Sequence, residues 1–175
     1  MIAKRKIRYP VSQALRQYLY HFDRQREIPK IYNDLTRFSG AIPYEDPRGR
    51  ETLWLTVMYP PEVFADLRPR LTSIYTELKL GRDAEQHEHL VVDRIDFGDF
   101  GNSRPFRIRV TNLFNDNSDY FYVKHADASR IYGLELEHIL SPNRMNYLVN
   151  GNTLIEEHIA GVPGDVFLRE YINQP

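Results

Sequence analysis

Cysteine is missing from this 175-residue chain. Disulfides, thiolate zinc sites and cysteine nucleophiles are excluded with it, and a chain without them fits a reducing compartment. Long apolar runs are missing as well. A membrane-spanning helix needs about 18 consecutive apolar residues, and no stretch here comes close. No membrane span is therefore expected, and the cytoplasm is the expected location. The first ten residues, MIAKRKIRYP, are basic but lack the apolar core of a secretory signal. Charge of one sign is scarce overall: the formal net charge is −1, so no global basic field draws the chain to nucleic acid, which is not an expected partner. Residues 1–40 do hold nine Lys/Arg against three acidic residues, a balance read as a solvated helix face. Tryptophan occurs once, but twelve Tyr and nine Phe give a small domain large side chains with which to fill its core.

What is present divides into two halves. Val11, Ala14, Leu15, Tyr18, Leu19 and Phe22 follow helical spacing, with Ser12 as a cap and Pro29 beyond the end, so a helix is expected over 11–27. Residues 30–50 are punctuated by Asn33-Asp34, Ser39-Gly40, Asp46-Pro47 and Arg48-Gly49, the marks of a loop or an inserted hairpin. Leu53–Tyr59 is nearly continuous apolar sequence and predicts a strand buried on both faces. From Pro61 to about Leu80, a stripe of Val63, Phe64, Leu67, Leu71, Ile74, Tyr75 and Leu78 predicts a helix ended by Gly81, with Pro69 expected to kink or split it. The polar stretch 81–88 is taken as a boundary. Beyond it the pattern turns to strands: Leu90–Phe97, then Phe106–Val110 with Arg107 and Arg109 alternating outward.

The stretch from Tyr120 to Asp165 organises the second half. Tyr120-Phe121-Tyr122-Val123 reads as a buried strand ending on Lys124. A helix follows, capped by Asp127 or Ser129, with Ile131, Leu134, Glu135 and His138 sharing a face. Strands at Met145–Val149 and Thr153–Ile159 meet at the turn Asn150-Gly151, and Ala160–Gly164 ends the hairpin.

A lysine-terminated strand, a helix carrying glutamates, a hairpin and a glycine-rich exit together resemble the N-terminal lobe of a kinase-like fold, in the aminoglycoside- and choline-phosphotransferase branch. The resemblance implies an α+β fold: a mainly antiparallel five-stranded sheet with one packed helix, preceded by a helical extension. Residues 1–86 would be that extension with one strand, 87–165 the lobe, and 166–175 the start of a linker or helix to an absent second lobe. It implies ATP as ligand, with Mg supplied through the missing lobe. Lys124 would reach the phosphates, paired with Glu137 or Glu135; two apart on a helix, these point to different sides. Gly98 and Gly101 would flank a phosphate-covering turn. Backbone groups around Glu157, His158 and Ile159 would hold the adenine edge.

No catalytic residue is assigned, because in these families the base and the metal ligands belong to the second lobe. The expected function is thus a nucleotide-binding lobe, inactive alone, whose partner is a C-terminal lobe or another protein. The alternative is a non-catalytic interaction module, an adaptor or homodimer, in which 11–27 and 63–80 present a groove or dimer surface. Two weaker patterns complete the reading. His87-Glu88-His89 reads as a wet strand end rather than a metal pair. Arg107 and Arg109 with Phe106 and Tyr122 make an aromatic–basic strand without a recognisable RNA-binding motif.

Overall fold

Alternation builds the centre of the molecule. In the computed structural model, which describes residues 7–29, 31–81, 88–100, 103–162, 167, 168 and 172, Phe106, Ile108 and Val110 are buried while Arg107 and Arg109 between them stay half-buried. They lie on β4 (Phe106–Asn112), flanked by β3 (Leu90–Gly98) and β5 (Ser118–His125). A hairpin of β6 (Tyr147–Asn150) and β7 (Thr153–Glu157) extends the sheet from β5, turning at Gly151 with φ 59°. A second hairpin, β1 (Gly40–Glu45) and β2 (Glu51–Met58), adds to the other side through β3. All neighbours are antiparallel, in the order β1-β2-β3-β4-β5-β7-β6.

The α+β class is as expected, but the sheet has seven strands rather than five. The turn-rich 30–50 region supplies β1, and the strand expected within the extension pairs β3 instead of standing apart. The expected boundary at 86 lies outside the described residues. Among the described residues four helices are present: α1 (Gln13–His21), α2 (Tyr32–Leu35), α3 (Pro61–Leu80) and α4 (Ala128–Leu140).

The sheet has two unlike faces. On one, Leu67, Leu71, Ile74 and Leu78 of α3 and the segment around α2 close over Ile95, Phe106, Ile108, Phe121, Val123 and Ile155. Phe106 and Phe121 are fully buried, each contributing about 1.5–3 kcal/mol by removal from water. On the other face α1 and α4 cover only the β7–β6 end, where Leu15, Leu19, Ile131 and Leu134 meet Tyr147, Val149 and Leu154. Towards β2 that face has no helix. Leu53, expected in a doubly buried strand, is 75% exposed: it shares the α3 side with Leu55 and Val57 but lies beyond Trp54, where the pairing of β2 with β3 ends.

Local chemistry sets the element ends. Ser12 caps α1 by accepting from the Leu15 N–H (3.2 Å). The helix stops well short of residue 27 because Asp23 adopts φ 58°, and the chain folds back so that Arg24 and Gln25 N–H both bond the Leu19 carbonyl. Gln25 then bridges Val149, lying along the outer margin of β6. α3 ends at Gly81 (φ 82°), whose N–H bonds Glu77 O. It runs through Pro69 as one helix: the donor that Pro69 lacks leaves the carbonyl of exposed Ala65, which water can reach.

Candidate functional site

Period-two alternation sends Phe121 and Val123 of β5 into the α3-facing core, and Tyr120, Tyr122 and Lys124 to the opposite face. Lys124 stands opposite Leu154 and Tyr122 opposite Glu156, so Lys124 and Glu156 are diagonal neighbours on one face. The Glu156 side chain is only 2% exposed. It accepts from Lys124 Nζ, and from Arg130 Nε (2.7 Å) and Nη2 (3.2 Å) in the first turn of α4. Burial pushes the Glu156 carboxyl up. The Arg130 hydrogen bonds and the Lys124 charge outweigh it and hold the group below its ordinary value. One carboxylate thus fixes two long cations side by side, leaving one positive charge over.

These cations open onto a cleft of about 370 Å³ walled by Arg8, Ser103, Lys124, His125, Arg130 and Gly133. Asp127, the residue that caps α4, accepts the Ser129 N–H at 2.8 Å. The His125 ring lies 3.8 Å from that of Tyr32, and burial, then the Arg8 charge, lowers its pKa, favouring the neutral imidazole. Gly133 is exposed in the interior of α4, and a Cβ built on it meets no atom within 4 Å.

Of the residues singled out in the sequence, Lys124 lies at this cleft, but its acid is Glu156 of β7 and not Glu135 or Glu137 of the helix. Helical geometry gives the reason. At about 100° per residue, Glu135 is turned roughly 140° away from Arg130 around α4. It points towards α1, accepting from Tyr147 Oη, Tyr18 Oη (2.9 Å) and Arg24 Nε (3.1 Å). Burial raises the Glu135 carboxyl, but the two tyrosines and Arg24 hold it below its ordinary value. Arg24 also reaches His138 Nδ1 (3.1 Å), whose Nε2 meets Met145 O at 2.9 Å. Glu137 shares the Arg130 side of the helix but lies about 10 Å further along its axis.

The Gly98 N–H bonds Pro105 O (2.8 Å), and the Phe100 ring occupies the space beside its Cα, so this amide is already engaged. Gly101 lies outside the described residues. At the far end of β7, the Glu157 N–H bonds Asn146 O (3.0 Å) and the His158 N–H bonds Tyr120 O (3.3 Å). Two of the donors expected to read a base edge are thus committed within the protein. Glu157 pairs Phe121, three residues along from Lys124 or about 10 Å, and its carboxylate takes Lys79 (3.3 Å). The His158 ring meets Tyr122 Oη at 3.0 Å. Ile159 is 59% exposed.

Sequence reading missed Glu156, Arg130 and Gly133. The period-two step from Leu154 to Glu156 was available, but only the pairing of β7 with β5 shows that Glu156 shares the Lys124 face. A second buried carboxylate was missed too. Asp96, fully buried, accepts from Thr56 Oγ1 (2.8 Å), Arg94 Nε (3.2 Å) and Arg107 through Nε (3.0 Å) and Nη2 (2.7 Å). The Arg107 guanidinium then lies 4.6 Å from the Trp54 ring centroid, 4.9 Å from Tyr44 and 5.3 Å from Tyr120. The aromatic–basic strand is therefore an aromatic box filled by the protein's own arginine.

His87 lies outside the described residues, among which no three His, Asp or Glu side chains group as a metal site. No described helix is long and apolar enough to cross a membrane. No family model, no curated protein and no solved structure matches the chain.

Proposed function

We propose that the chain binds a phosphate-bearing ligand in the cleft between the end of β5 and the start of α4, ATP being the member that the kinase likeness implies. It would act as the nucleotide-gripping part of a kinase-like phosphotransferase. The observation that carries this reading is the clamp of Lys124 and Arg130 on Glu156 at the cleft mouth. A buried acid orients both cations in advance, so less side-chain freedom is lost when an anion arrives. Glu156 takes Nε and Nη2 of the guanidinium and leaves its Nη1 side to donate to phosphate oxygens. The element order supports the reading as well: strand, helix, hairpin follow from β5 through α4 to β6 and β7. In this version the lysine's acid comes from the sheet rather than from the helix.

Isothermal titration of ATP, with and without Mg²⁺, tests it on wild type and Arg130→Gln. A charge-assisted hydrogen bond contributes about 1.5–3 kcal/mol, so Arg130→Gln should weaken binding roughly 10- to 100-fold. Equal affinities, or none in wild type, would remove the site.

A second reading, an interaction module, has one observation in its favour. The stripes of α1 and α3 are spent on the two cores, so they offer no groove. The outer side of α4, however, exposes Tyr132, Leu136, Ile139 and Leu140, each by more than half. A concentration-dependent sedimentation coefficient that Leu136→Lys abolishes would favour this reading.

A further inference from the structure

We infer that the cleft takes a single phosphate group, a small-molecule phosphomonoester, and reads neither a triphosphate nor a base. This rests on the phosphate-binding cleft proposed above and departs from that reading on the ligand: the phosphate is kept, the triphosphate and the base are not. Charge is the first argument. Among the described residues the walls bring three cations, Arg8, Lys124 and Arg130, against two carboxylates, Asp127 and Glu156. Arg104, the neighbouring cation, is paired with Asp99 at 3.1 Å. The small surplus can meet one phosphomonoester, which carries roughly −1.5 to −2 near neutral pH. A triphosphate would multiply that charge beside Asp127 with no further cation among the described residues to receive it.

Size is the second argument. At about 370 Å³ the cleft is at the low end of the roughly 300–1,000 Å³ typical of small-molecule pockets. A phosphorylated sugar fits within it, and the base of a nucleotide would lie outside the walls.

The third argument is donor supply. Three of the groups that would cover β- and γ-phosphates or hold a base edge are engaged elsewhere: the Gly98 N–H on Pro105, the Glu157 N–H on Asn146 and the His158 N–H on Tyr120. What stands around the cleft is short-range and suited to one tetrahedral anion: the hydroxyls of Ser103 and Ser129, the Nη1 side of Arg130 and the Lys124 protons that Glu156 does not take, and the His125 imidazole.

The test titrates the full chain with inorganic phosphate, ribose 5-phosphate, AMP and ATP, each with and without Mg²⁺, following amide shifts and the His125 ring by NMR. Ribose 5-phosphate and AMP should bind within about threefold of each other, and at least tenfold tighter than ATP. The bound dianion should raise the His125 titration midpoint. Gly133→Leu, which fills the wall, should weaken the monoesters at least tenfold while the fold persists. ATP binding tightest would overturn this inference and leave the nucleotide reading standing. AMP exceeding ribose 5-phosphate by tenfold or more would overturn the indifference to the base. If none of the four binds, both readings fall. Binding that ignores Gly133→Leu and leaves His125 unmoved would place the ligand elsewhere and overturn the inference.

Discussion

Gly133 offers a perturbation in which stability and binding should move in opposite directions. It occupies the interior of α4, exposed, and is absent from the positive-φ residues. Glycine in an exposed helix interior costs about 1 kcal/mol relative to alanine, because more backbone freedom is lost on folding. Nothing opposes the exchange sterically, since an added Cβ meets no atom within 4 Å. Gly133→Ala should therefore stabilise the protein by about 1 kcal/mol, raising Tm by roughly 2–4 °C for a domain of this size. Gly133→Leu should retain most of that gain, as leucine is nearly as good a helix former. Its side chain, however, projects from the wall of the cleft, and affinity for the proposed phosphate ligand should fall at least tenfold. Thermal unfolding by circular dichroism and calorimetric titration read the two effects separately. An unchanged or lower Tm for Gly133→Ala would mean that a hidden contact fills the space. Full affinity in Gly133→Leu would mean that the cleft is not where the ligand sits.

Other substitutions test the remaining elements. Glu156→Gln should cost about 3 kcal/mol, the lower end for breaking a buried ion pair, because half-exposed Arg130 can turn to water. Glu156 and Glu135 both have carboxyls held below their ordinary 4.5. Their contribution is complete above that pH and is lost as pH falls through the lower, folded values. Wild type should lose stability below about pH 4.5, and Glu156→Gln should show a shallower loss in urea titrations across that range. Tyr147→Phe removes one donor to Glu135 and should cost about 1.5–3 kcal/mol, with amide exchange rising first in α1. Pro69→Ala restores a donor within α3 and should stabilise by up to about 3 kcal/mol; a lower midpoint in denaturant would contradict the account of the helix. Phe121→Ala, at a fully buried position, should cost about 3–5 kcal/mol.

The sequence carried the elements better than their assembly. Ser12, Gly81 and Asn150-Gly151 mark ends that the structure uses, because capping and turn chemistry act over three or four residues. Asp127, one of two expected caps, is the one used. The end of α1 was overshot because apolar spacing continues to Phe22 and nothing in the composition announces the left-handed turn at Asp23. Leu53–Tyr59 read as doubly buried because an apolar run does not tell whether a helix will cover its second face. At the cleft, Lys124 was legible as the end of an aromatic strand, but its acid was not. Glu135 is close in sequence and turned away by the helix, whereas Glu156 is 32 residues distant and brought near by strand pairing. Arg130 and Gly133 are ordinary helix residues until that pairing is known.

The margins of the sheet have a consequence for how the molecule behaves in a crowd. At β1 the outermost strand contains Pro43, and its register breaks between Pro43 and Glu45, so a foreign strand meets a missing donor and an irregular ladder. At β6 the Gln25–Val149 bridge lays the protein's own chain along the seam, with Arg24 O and the Arg26 N–H also bonded to Val149. Both ends of the ladder are thus guarded against runaway stacking of one chain on the next. A protease cut that strips residues 7–27 would unguard β6 and open its edge to a strand of another chain.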